Sequence, residues 1–183
     1  MDEWTPPVAA GKVIWHFSMT LDGFVAGPDH DLSWMEGITG RDGLVEAYIE
    51  TLGAVIGGRR GWDAFPGARP YGTWDGPVFV LTHHPQDAPP ADGVTFLDVD
   101  VAEAVEIARE AAGGRNIEVH SPTIGAELLA RGLLDQLDLH IAPVLLGDGI
   151  RLYDAVGRDP IRLRNLLGDD PHREVDLRYE VVR

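Results

Sequence analysis

The sequence predicts an α/β fold with a mostly parallel sheet and helices on both of its faces. Short apolar runs typical of buried strands alternate with segments of helical period over most of the 183 residues, and this alternation is the pattern of parallel strands joined by helices. Two late apolar runs, at residues 161–167 and 175–182, are separated by a polar turn. Strands joined in this way pair antiparallel, so these runs predict a C-terminal antiparallel hairpin.

The individual elements follow from periodicity and from the residues that end each run. The clearest helix covers residues 101–112, where apolar residues recur at spacings of three and four before a glycine pair. Other helices are predicted at residues 41–51 and 123–131, and a further one opens after Gly58. The predicted strands before the hairpin are residues 13–17, 54–56, 77–81, 94–97, 117–119 and 137–144.

Size and composition predict one soluble domain spanning residues 1–183, with its core at about 13–182. The chain is 44% hydrophobic and 25% charged, as is typical of globular proteins. No apolar run approaches the roughly 20 residues that cross a bilayer. The first residues are acidic where a secretory signal would be basic, so we expect a cytoplasmic protein. The absence of cysteine excludes disulfides and cysteine-ligated metals.

The charge excludes two classes of partner and limits how the chain can bind phosphate. A net charge of −15 opposes binding to nucleic acid and to anionic membranes. We therefore expect a small-molecule ligand. Lys12 is the only lysine, so a phosphate site would have to use arginine, backbone amides or hydroxyl groups.

Three strand ends carry motifs with both a structural and a chemical interpretation. Asp22 and Gly23 form a common turn pair. The segment Gly-Gly-Arg-Arg at residues 57–60 is either an exposed turn or a glycine junction that lets a phosphate approach a helix start. Ser121 or Thr123 can cap the helix that follows residues 117–119.

Histidines give a weaker signal for a metal site. His83 and His84 lie near Asp87, and His30 precedes Asp31. Adjacent side chains on an extended chain point to opposite sides, and no helical pair of histidines or carboxylate triad is present. We therefore expect no metal. A plain structural interpretation of the two histidines after residue 82 is that they are exposed residues at a strand end.

Several of these segments together resemble the dihydrofolate-reductase-like family, specifically the RibD C-terminal domain of riboflavin biosynthesis. The resemblance rests on residues 18–26, which include Thr-Leu-Asp-Gly at 20–23, and on Gly-Arg-Arg at 58–60. It also rests on residues 133–149, where a strand runs into Pro143 and a Gly-Asp-Gly loop. The match extends from about residue 13 to residue 182 and implies the three-layer fold of this family.

The resemblance implies an oxidoreductase that uses NADPH, with NADH possible, on a small molecule. The expected reaction is hydride transfer to a C=N or C=O bond of a pyrimidine-, pteridine- or ribosylamine-like substrate. A non-catalytic nucleotide- or pterin-binding protein that keeps the fold is the alternative. Members of the family commonly pair through their late strands, so a homodimer is expected.

The resemblance also assigns roles to individual residues. Asp22 is expected to hold a substrate amine or a loop amide, and Asp22 or His16 to serve as a proton relay in catalysis. Ser18, Thr20 and Trp34 are expected at the substrate. The cofactor is expected along Gly58, Arg59, Arg60, Leu81, Thr82, His83, His120, Ser121, Pro122, Thr123 and Ile124.

The chain departs from the riboflavin-pathway pattern at several of these positions. His16 and Val119 stand where those reductases have lysine and glutamate, and His120 replaces a glycine. Gly61 replaces a threonine, and histidines follow Thr82 in place of arginine.

Overall fold

The structure is a computed structural model that describes residues 4–167 of the chain. A six-stranded sheet forms its centre, and all five of its strand pairs are parallel. The strands are β1 (Val13–Thr20), β2 (Phe24–Ala26), β3 (Leu52–Gly58), β4 (Val78–Leu81), β5 (Val94–Leu97), β6 (Asn116–His120), β7 (Gln136–Ala142) and β8 (Ile150–Arg151). The helices are α1 (Leu44–Thr51), α2 (Arg59–Ala64), α3 (Val101–Ala112) and α4 (Pro122–Ala130).

The order of strands in the large sheet is β5-β4-β3-β6-β1-β7. β2 and β8 form a separate antiparallel pair. The α/β fold with a mostly parallel sheet is thus confirmed. Within the described part of the chain, no helix has the length and apolar character that crossing a membrane would require.

One face of the sheet, here called the α3 face, carries the main apolar core. Trp15 on β1 and Val119 on β6 are neighbours in register and are both fully buried. Successive side chains of a strand point to opposite faces, so the residues between them line the other face. The core of the α3 face also includes Val105 of α3 and Leu128 of α4.

Local sequence explains why α3 and α4 begin and end where they do. The Asp100 side chain accepts hydrogen bonds from the amides of Ala102 and Glu103 at 2.8 and 2.9 Å, and such an N-cap stabilises a helix by about 1 kcal/mol. Gly113 ends α3 with φ of 59°, a left-handed conformation that suits glycine. Ser121 caps α4, and Pro122 occupies its first turn.

The opposite face, here called the α1 face, is covered by α1 and by the loop of residues 65–77. Over β3 and β4 this face is apolar, with Val55 and Val80 packed against Trp74. Over β1, β6 and β7 it is polar. The two halves of the face therefore offer different environments to any group bound there.

Several predicted elements differ from the structure. β1 extends to Thr20 rather than residue 17, and α1 begins at Leu44 because Gly43, with φ of 75°, precedes it in a left-handed conformation. Residues 161–167 were expected to form a strand but form none, whereas residues 175–182 lie outside the described part. The antiparallel pair that the structure describes joins β2 to β8 instead.

Candidate active site

The predicted cofactor motifs meet at one edge of the sheet. Since the strands of the large sheet are parallel, β3, β4 and β6 all end at this edge. Gly57 is in register with His120 of β6, and Gly58 with Leu81 of β4. The glycine junction thus lies between the other two motifs, as the carboxyl ends of an open α/β sheet predict for a ligand site.

The two glycines differ in what surrounds them. A Cβ atom at Gly58 would lie 3.2 Å from Oγ of Ser121, whereas one at Gly57 would meet no atom within 4 Å. Ser121 Oγ accepts the amide of Ile124 at 3.4 Å. Gly58 therefore allows β3 to approach the start of α4, and Gly57 leaves open space on the α1 face.

The paired arginines have different environments. Nε of Arg59 donates to Asp63 at 2.7 Å, and its Nη1 donates to the carbonyl of His84 at 3.4 Å. The guanidinium also lies 5.8 Å from the ring centroid of Phe96. Arg60 is exposed and has no ion-pair partner among the described residues. Arg60 is thus the arginine available to an anion.

The end of β4 is only partly accessible. Leu81 is half-buried and packs against the core of the α3 face. Thr82 is half-buried, and its Oγ1 accepts the amide of His84 at 3.2 Å. The His83 side chain is 94% exposed and lies 3.2 Å from Asp98.

Of the residues predicted to bind the cofactor at the start of α4, Ile124 needs correction. Ile124 is buried in the core of the α3 face, so its side chain is unavailable to a cofactor and its amide already bonds Ser121. Thr123 is exposed, and Pro122 is half-buried in the first turn. Of this segment, only Thr123 presents a free-standing polar side chain at the surface.

A cluster of polar side chains lies on the α1 face beside the glycine junction. We call it the histidine cluster. Oε2 of Glu118 accepts from the Tyr71 hydroxyl at 2.7 Å and lies 2.9 Å from Nε2 of His120 and 3.2 Å from Nδ1 of His16. Nε2 of His16 is 2.9 Å from Nε2 of His140. The members come from β1 (His16), β6 (Glu118 and His120), β7 (His140) and the loop after α2 (Tyr71).

Burial and neighbouring groups perturb the ionisation of this cluster. Burial alone would raise the pKa of Glu118, which is 1% exposed, but hydrogen bonds from His120 and His16 outweigh it and lower the pKa to about 2. Burial and then the nearby His16 lower the pKa of His140 to about 4. Burial, followed by the charge of Glu118, raises the pKa of Tyr71. The carboxylate is ionised at neutral pH, and His140 and Tyr71 are uncharged.

Two tyrosines cover the cluster on the side away from the sheet. The ring of Tyr48 stacks on His16 with centroids 4.1 Å apart, and its hydroxyl donates to Asp138 at 2.9 Å. Tyr71 stacks on Tyr48 at 6.3 Å and has a φ of 55°, which is unfavourable for a bulky residue. Such strain persists where the surroundings hold the residue in place, often at functional sites.

Arg69 holds the loop that carries Tyr71. Its guanidinium donates to three backbone carbonyls, those of Trp74 at 3.1 Å, Gly76 at 2.5 Å and Asp92 at 3.3 Å. These bonds tie the loop to the turn before β5. The position of the Tyr71 ring is thus fixed from outside the cluster.

Asp22 joins two loops at the end of β1. Its carboxylate accepts from Thr20 Oγ1 at 2.6 Å and from the amides of Leu146 and Gly147, the latter at 2.8 Å. The Thr20 hydrogen bond has the largest effect, and with the amide bonds it lowers the pKa of Asp22 to about 2 against opposing desolvation. Of the two interactions expected of Asp22, the structure has the loop amide.

The predicted substrate residues are separated by the structure. Thr20 is fully buried, and its hydroxyl donates to Asp22 and accepts the amide of Phe24, so a substrate contact by Thr20 needs correction. Ser18 is half-buried and in register with His140, on the cluster's face. Trp34 is buried in a short turn, Ser33–Met35, and its indole nitrogen has no hydrogen-bond partner among the described residues.

Sequence reasoning missed Glu118, His140 and Tyr71. A signal for the first two was present, because polar residues alternate with apolar ones in strands predicted to be buried: Asn116, Glu118 and His120 in β6, and Gln136, Asp138 and His140 in β7. Alternation of period two places such residues on one face. Tyr71 lies in a loop, where no such periodicity applies.

Two cavities lie away from the histidine cluster. One of about 350 Å³ lies between α4 and residues 153–158 and includes Thr123. The other, of about 240 Å³, is mainly apolar and includes Trp15 and Leu139. Trp15 belongs to the core of the α3 face, so the second cavity lies across the sheet from the cluster.

A parallel sheet whose glycine-rich carboxyl edge adjoins a polar cluster defines an α/β protein with a candidate ligand site at the strand ends. The sequence model of the RibD C-terminal domain family matches residues 11–168. The chain therefore belongs to the RibD C-terminal domain family, as the sequence motifs predicted. No match was found among curated proteins.

Solved structures of similar fold include reductases of known type. A proposed riboflavin biosynthesis protein from Shewanella sp. PV-4 is 23% identical, with a TM-score of 0.65 over 81% of this chain and 86% of the other. Dihydrofolate reductase from Enterococcus faecalis, in complex with NADP(H) and RAB-propyl, is 16% identical, with a TM-score of 0.58 over 80% and 79% of the two chains.

A third structure belongs to a larger protein. The Thermotoga maritima diaminohydroxyphosphoribosylaminopyrimidine deaminase/5-amino-6-(5-phosphoribosylamino)uracil reductase is 18% identical, with a TM-score of 0.59. The match covers 87% of this chain but 54% of that protein. These likenesses establish the dihydrofolate-reductase-like fold.

Proposed function

We propose that this protein is an NADPH-dependent reductase that delivers a hydride to a C=N or C=O bond of a pyrimidine-, pteridine- or ribosylamine-like molecule. The observation that carries the proposal is the open space at Gly57, between the predicted cofactor motifs and the histidine cluster. Membership of the RibD C-terminal domain family supports the same activity.

The residues at the edge of the sheet fit a dinucleotide. A flat ring can lie over Gly57, since no atom approaches within 4 Å of its Cβ position. Arg60 and Thr123 are exposed polar groups beside the two helix starts, where backbone amides favour anions. These residues, with Gly58 and Ser121, would hold the cofactor, and Thr82 and His83 would meet its adenosine end. When bound, the nicotinamide supplies the hydride.

The histidine cluster would orient the substrate and supply a proton. His120 is the member of the His16–Glu118–His120 group with the most exposed side chain, at 32%. Its Nε2 faces Glu118, which leaves Nδ1 as the atom able to meet a substrate heteroatom. Both ring nitrogens of His16 already have partners. We therefore infer that His16 positions the cluster, whereas His120 donates the proton.

Other residues would exclude water and fix the loops around the site. Tyr48 and Tyr71 cover the cluster, and removal of water strengthens the interactions inside it. Asp22 holds the Leu146–Gly147 amides, so we propose for it a role in loop position rather than in proton transfer. Its low pKa of about 2 agrees with this role, because a carboxylate ionised at neutral pH has no proton to donate.

A second function is favoured by one observation. His16 and Glu118 are 9% and 1% exposed, so the chain's own side chains fill much of the polar face. A protein that binds a nucleotide or pterin without catalysis would tolerate this closure.

The single-domain organisation, the cytoplasmic location and the homodimer stay predictions. Sedimentation analysis of the purified protein would test the homodimer.

The test of function is a two-component assay on the purified full chain. We expect NADPH to bind in a thermal-shift titration and to be oxidised only when a pterin, pyrimidine or ribosylamine from a panel is added. Mass spectrometry should detect a product two hydrogens heavier than its substrate. Cofactor binding without turnover across the panel would support the non-catalytic alternative, and no binding of NADPH or NADH would contradict both functions.

A further inference from the structure

We propose that His16, Glu118 and His120 form a binding site for a divalent transition-metal ion, with the Tyr71 hydroxyl as a fourth donor. One ligand atom from each of the first three side chains lies within 4.8 Å of the other two. Two imidazoles and a carboxylate are a common ligand set for zinc and other first-row ions. The inference concerns ion binding and does not depend on the proposed reductase activity.

The geometry of Glu118 is the first support. Three groups converge on its Oε2 atom: the Tyr71 hydroxyl at 2.7 Å, His120 Nε2 at 2.9 Å and His16 Nδ1 at 3.2 Å. A carboxylate oxygen has two lone pairs, and the tautomer of His16 and of His120 decides which of these nitrogens carries a proton. A cation among the four atoms would satisfy each of them through a lone pair.

The spacing of the donors suits such an ion. Zinc bonds to nitrogen and oxygen of about 2.0–2.2 Å put neighbouring donors of a tetrahedron roughly 3.3 Å apart. In the structure the Tyr71 hydroxyl is 2.9 Å from Nδ1 of His16, and the distances to Glu118 are 2.7 to 3.2 Å. These four distances are thus within about 0.6 Å of the tetrahedral spacing, and the ligand atoms of His16 and His120 lie within 4.8 Å of each other.

The groups behind the ligands would hold them in place. The second nitrogen of His16 lies 2.9 Å from Nε2 of His140, and Tyr48 stacks on the His16 ring at 4.1 Å. Metal-binding histidines usually have their other nitrogen held in this way. His120, with a 32% exposed side chain, gives the ion a path from solvent.

The donor chemistry indicates the class of ion. Nitrogen donors disfavour magnesium and calcium, which prefer oxygen ligands, whereas zinc, cobalt and iron accept imidazole. We therefore use Zn²⁺ and Co²⁺ as probes. The exposed His84, which lies at the end of β4 outside the cluster, provides a matched histidine control.

The experiment uses untagged full-length protein, stripped of metal with a chelator and titrated with Zn²⁺ by calorimetry in the absence of cofactor. We expect one equivalent to bind. His16→Ala, Glu118→Gln and His120→Ala should each weaken binding at least tenfold, while His84→Ala should bind as the unmodified protein does. Co²⁺ should give the intense visible absorption of a four-coordinate site, and this absorption should be lost in Glu118→Gln.

The Co²⁺ spectrum of the unmodified protein keeps the proposal testable even if a cluster variant fails to fold. The absence of stoichiometric Zn²⁺ binding would overturn the proposal and identify the cluster as a hydrogen-bonded network. Zn²⁺ binding that persists in the cluster variants, or that is lost in His84→Ala, would also overturn the proposal. NADPH binding without Zn²⁺ binding would reject this site and leave the proposed reductase in place.

Discussion

Nε2 of His120 lies 2.9 Å from Oε2 of Glu118, two residues earlier on the same strand. The carboxylate is buried, while the imidazole reaches the surface. Glu118 is thus held in the protein interior, and His120, on the same face of β6, presents a nitrogen near the strand ends. This pair connects the stability of the sheet to the proposed chemistry at its edge.

Glu118→Gln should destabilise the fold by about 3 kcal/mol, because removing the charge leaves His16 and His120 without their buried anionic partner. The glutamine keeps the size and shape of the side chain, so packing loss is small. Urea denaturation measures the change. The control is Glu127→Gln, which removes an exposed pair with Arg131 and should cost less than about 1 kcal/mol. Equal costs would contradict the structural role of Glu118.

Asp22→Asn should lower stability in a pH-dependent way. The folded-state pKa of about 2 lies below the ordinary value of 3.8, so the carboxylate contributes fully above the ordinary value. That contribution is lost as the pH falls through the folded-state pKa. The difference in Tm between the two proteins should therefore be constant near neutrality and shrink toward pH 2. Asp42→Asn controls for loss of a surface charge, and a difference independent of pH would reject this account.

Gly57→Val should fold well but lose cofactor binding. The strand position has an ordinary backbone conformation and open space at its Cβ, and valine favours strands. The new side chain would occupy the space assigned to the cofactor ring. We expect at least tenfold weaker NADPH binding with an unchanged or higher Tm. The control Gly61→Ala, at another open position, should bind NADPH normally. Retained NADPH binding in Gly57→Val would show that the cofactor does not bind over Gly57.

Arg60→Ala should weaken NADPH binding more than NADH binding if Arg60 meets the additional phosphate of NADPH. Arg59→Ala should also lower thermal stability, because Arg59 bonds Asp63 and the carbonyl of His84. Parallel titrations with both cofactors, together with Tm measurements, separate the two effects. An equal loss for NADPH and NADH in Arg60→Ala would refute a role in cofactor choice.

Gly125→Ala should strongly destabilise the protein. A Cβ atom at this position would overlap the indole of Trp15, which is fully buried against α4. Overpacking of a rigid ring costs about 1–3 kcal/mol or more. Gly61→Ala removes a glycine from a helix at an open position and should be neutral or stabilising. Urea denaturation of both variants tests the packing of α4 on the sheet.

Much of the fold could be predicted because its pattern is local. The apolar positions of residues 101–112 and the capping residues around Gly113 and Ser121 carry their own boundaries. Residues 161–167 form no strand, although their apolar pattern predicted one; the predicted partner, residues 175–182, lies outside the described part of the chain. The short β2–β8 pair was missed because its strands are more than 120 residues apart in the sequence. A local pattern does not reveal a pairing over that separation.

In the candidate site, the residues at the strand ends could be predicted from the sequence, whereas the partners of His16 in the histidine cluster could not. Gly58, His120 and Ser121 lie together because strand ends in a parallel sheet are neighbours whatever the details of packing. The partners of His16 come from β6, β7 and a loop, so only the strand order brings them together. Thr20 and Ile124 were placed at ligands because sequence does not reveal which way a side chain at a strand end or helix start points.

The bonds from Arg69 to the carbonyls of Trp74, Gly76 and Asp92 have a consequence for access to the histidine cluster. The hydrogen bonds described for Arg69 go to backbone carbonyls and not to the side chains of the cluster, yet they anchor the loop that carries Tyr71. Moving Tyr71 away from the proposed ligand-binding face would require breaking the Arg69 bonds or rotating Tyr71, whose φ is 55°. Substitutions at Arg69 could therefore change how readily a ligand enters without changing any residue proposed to contact it.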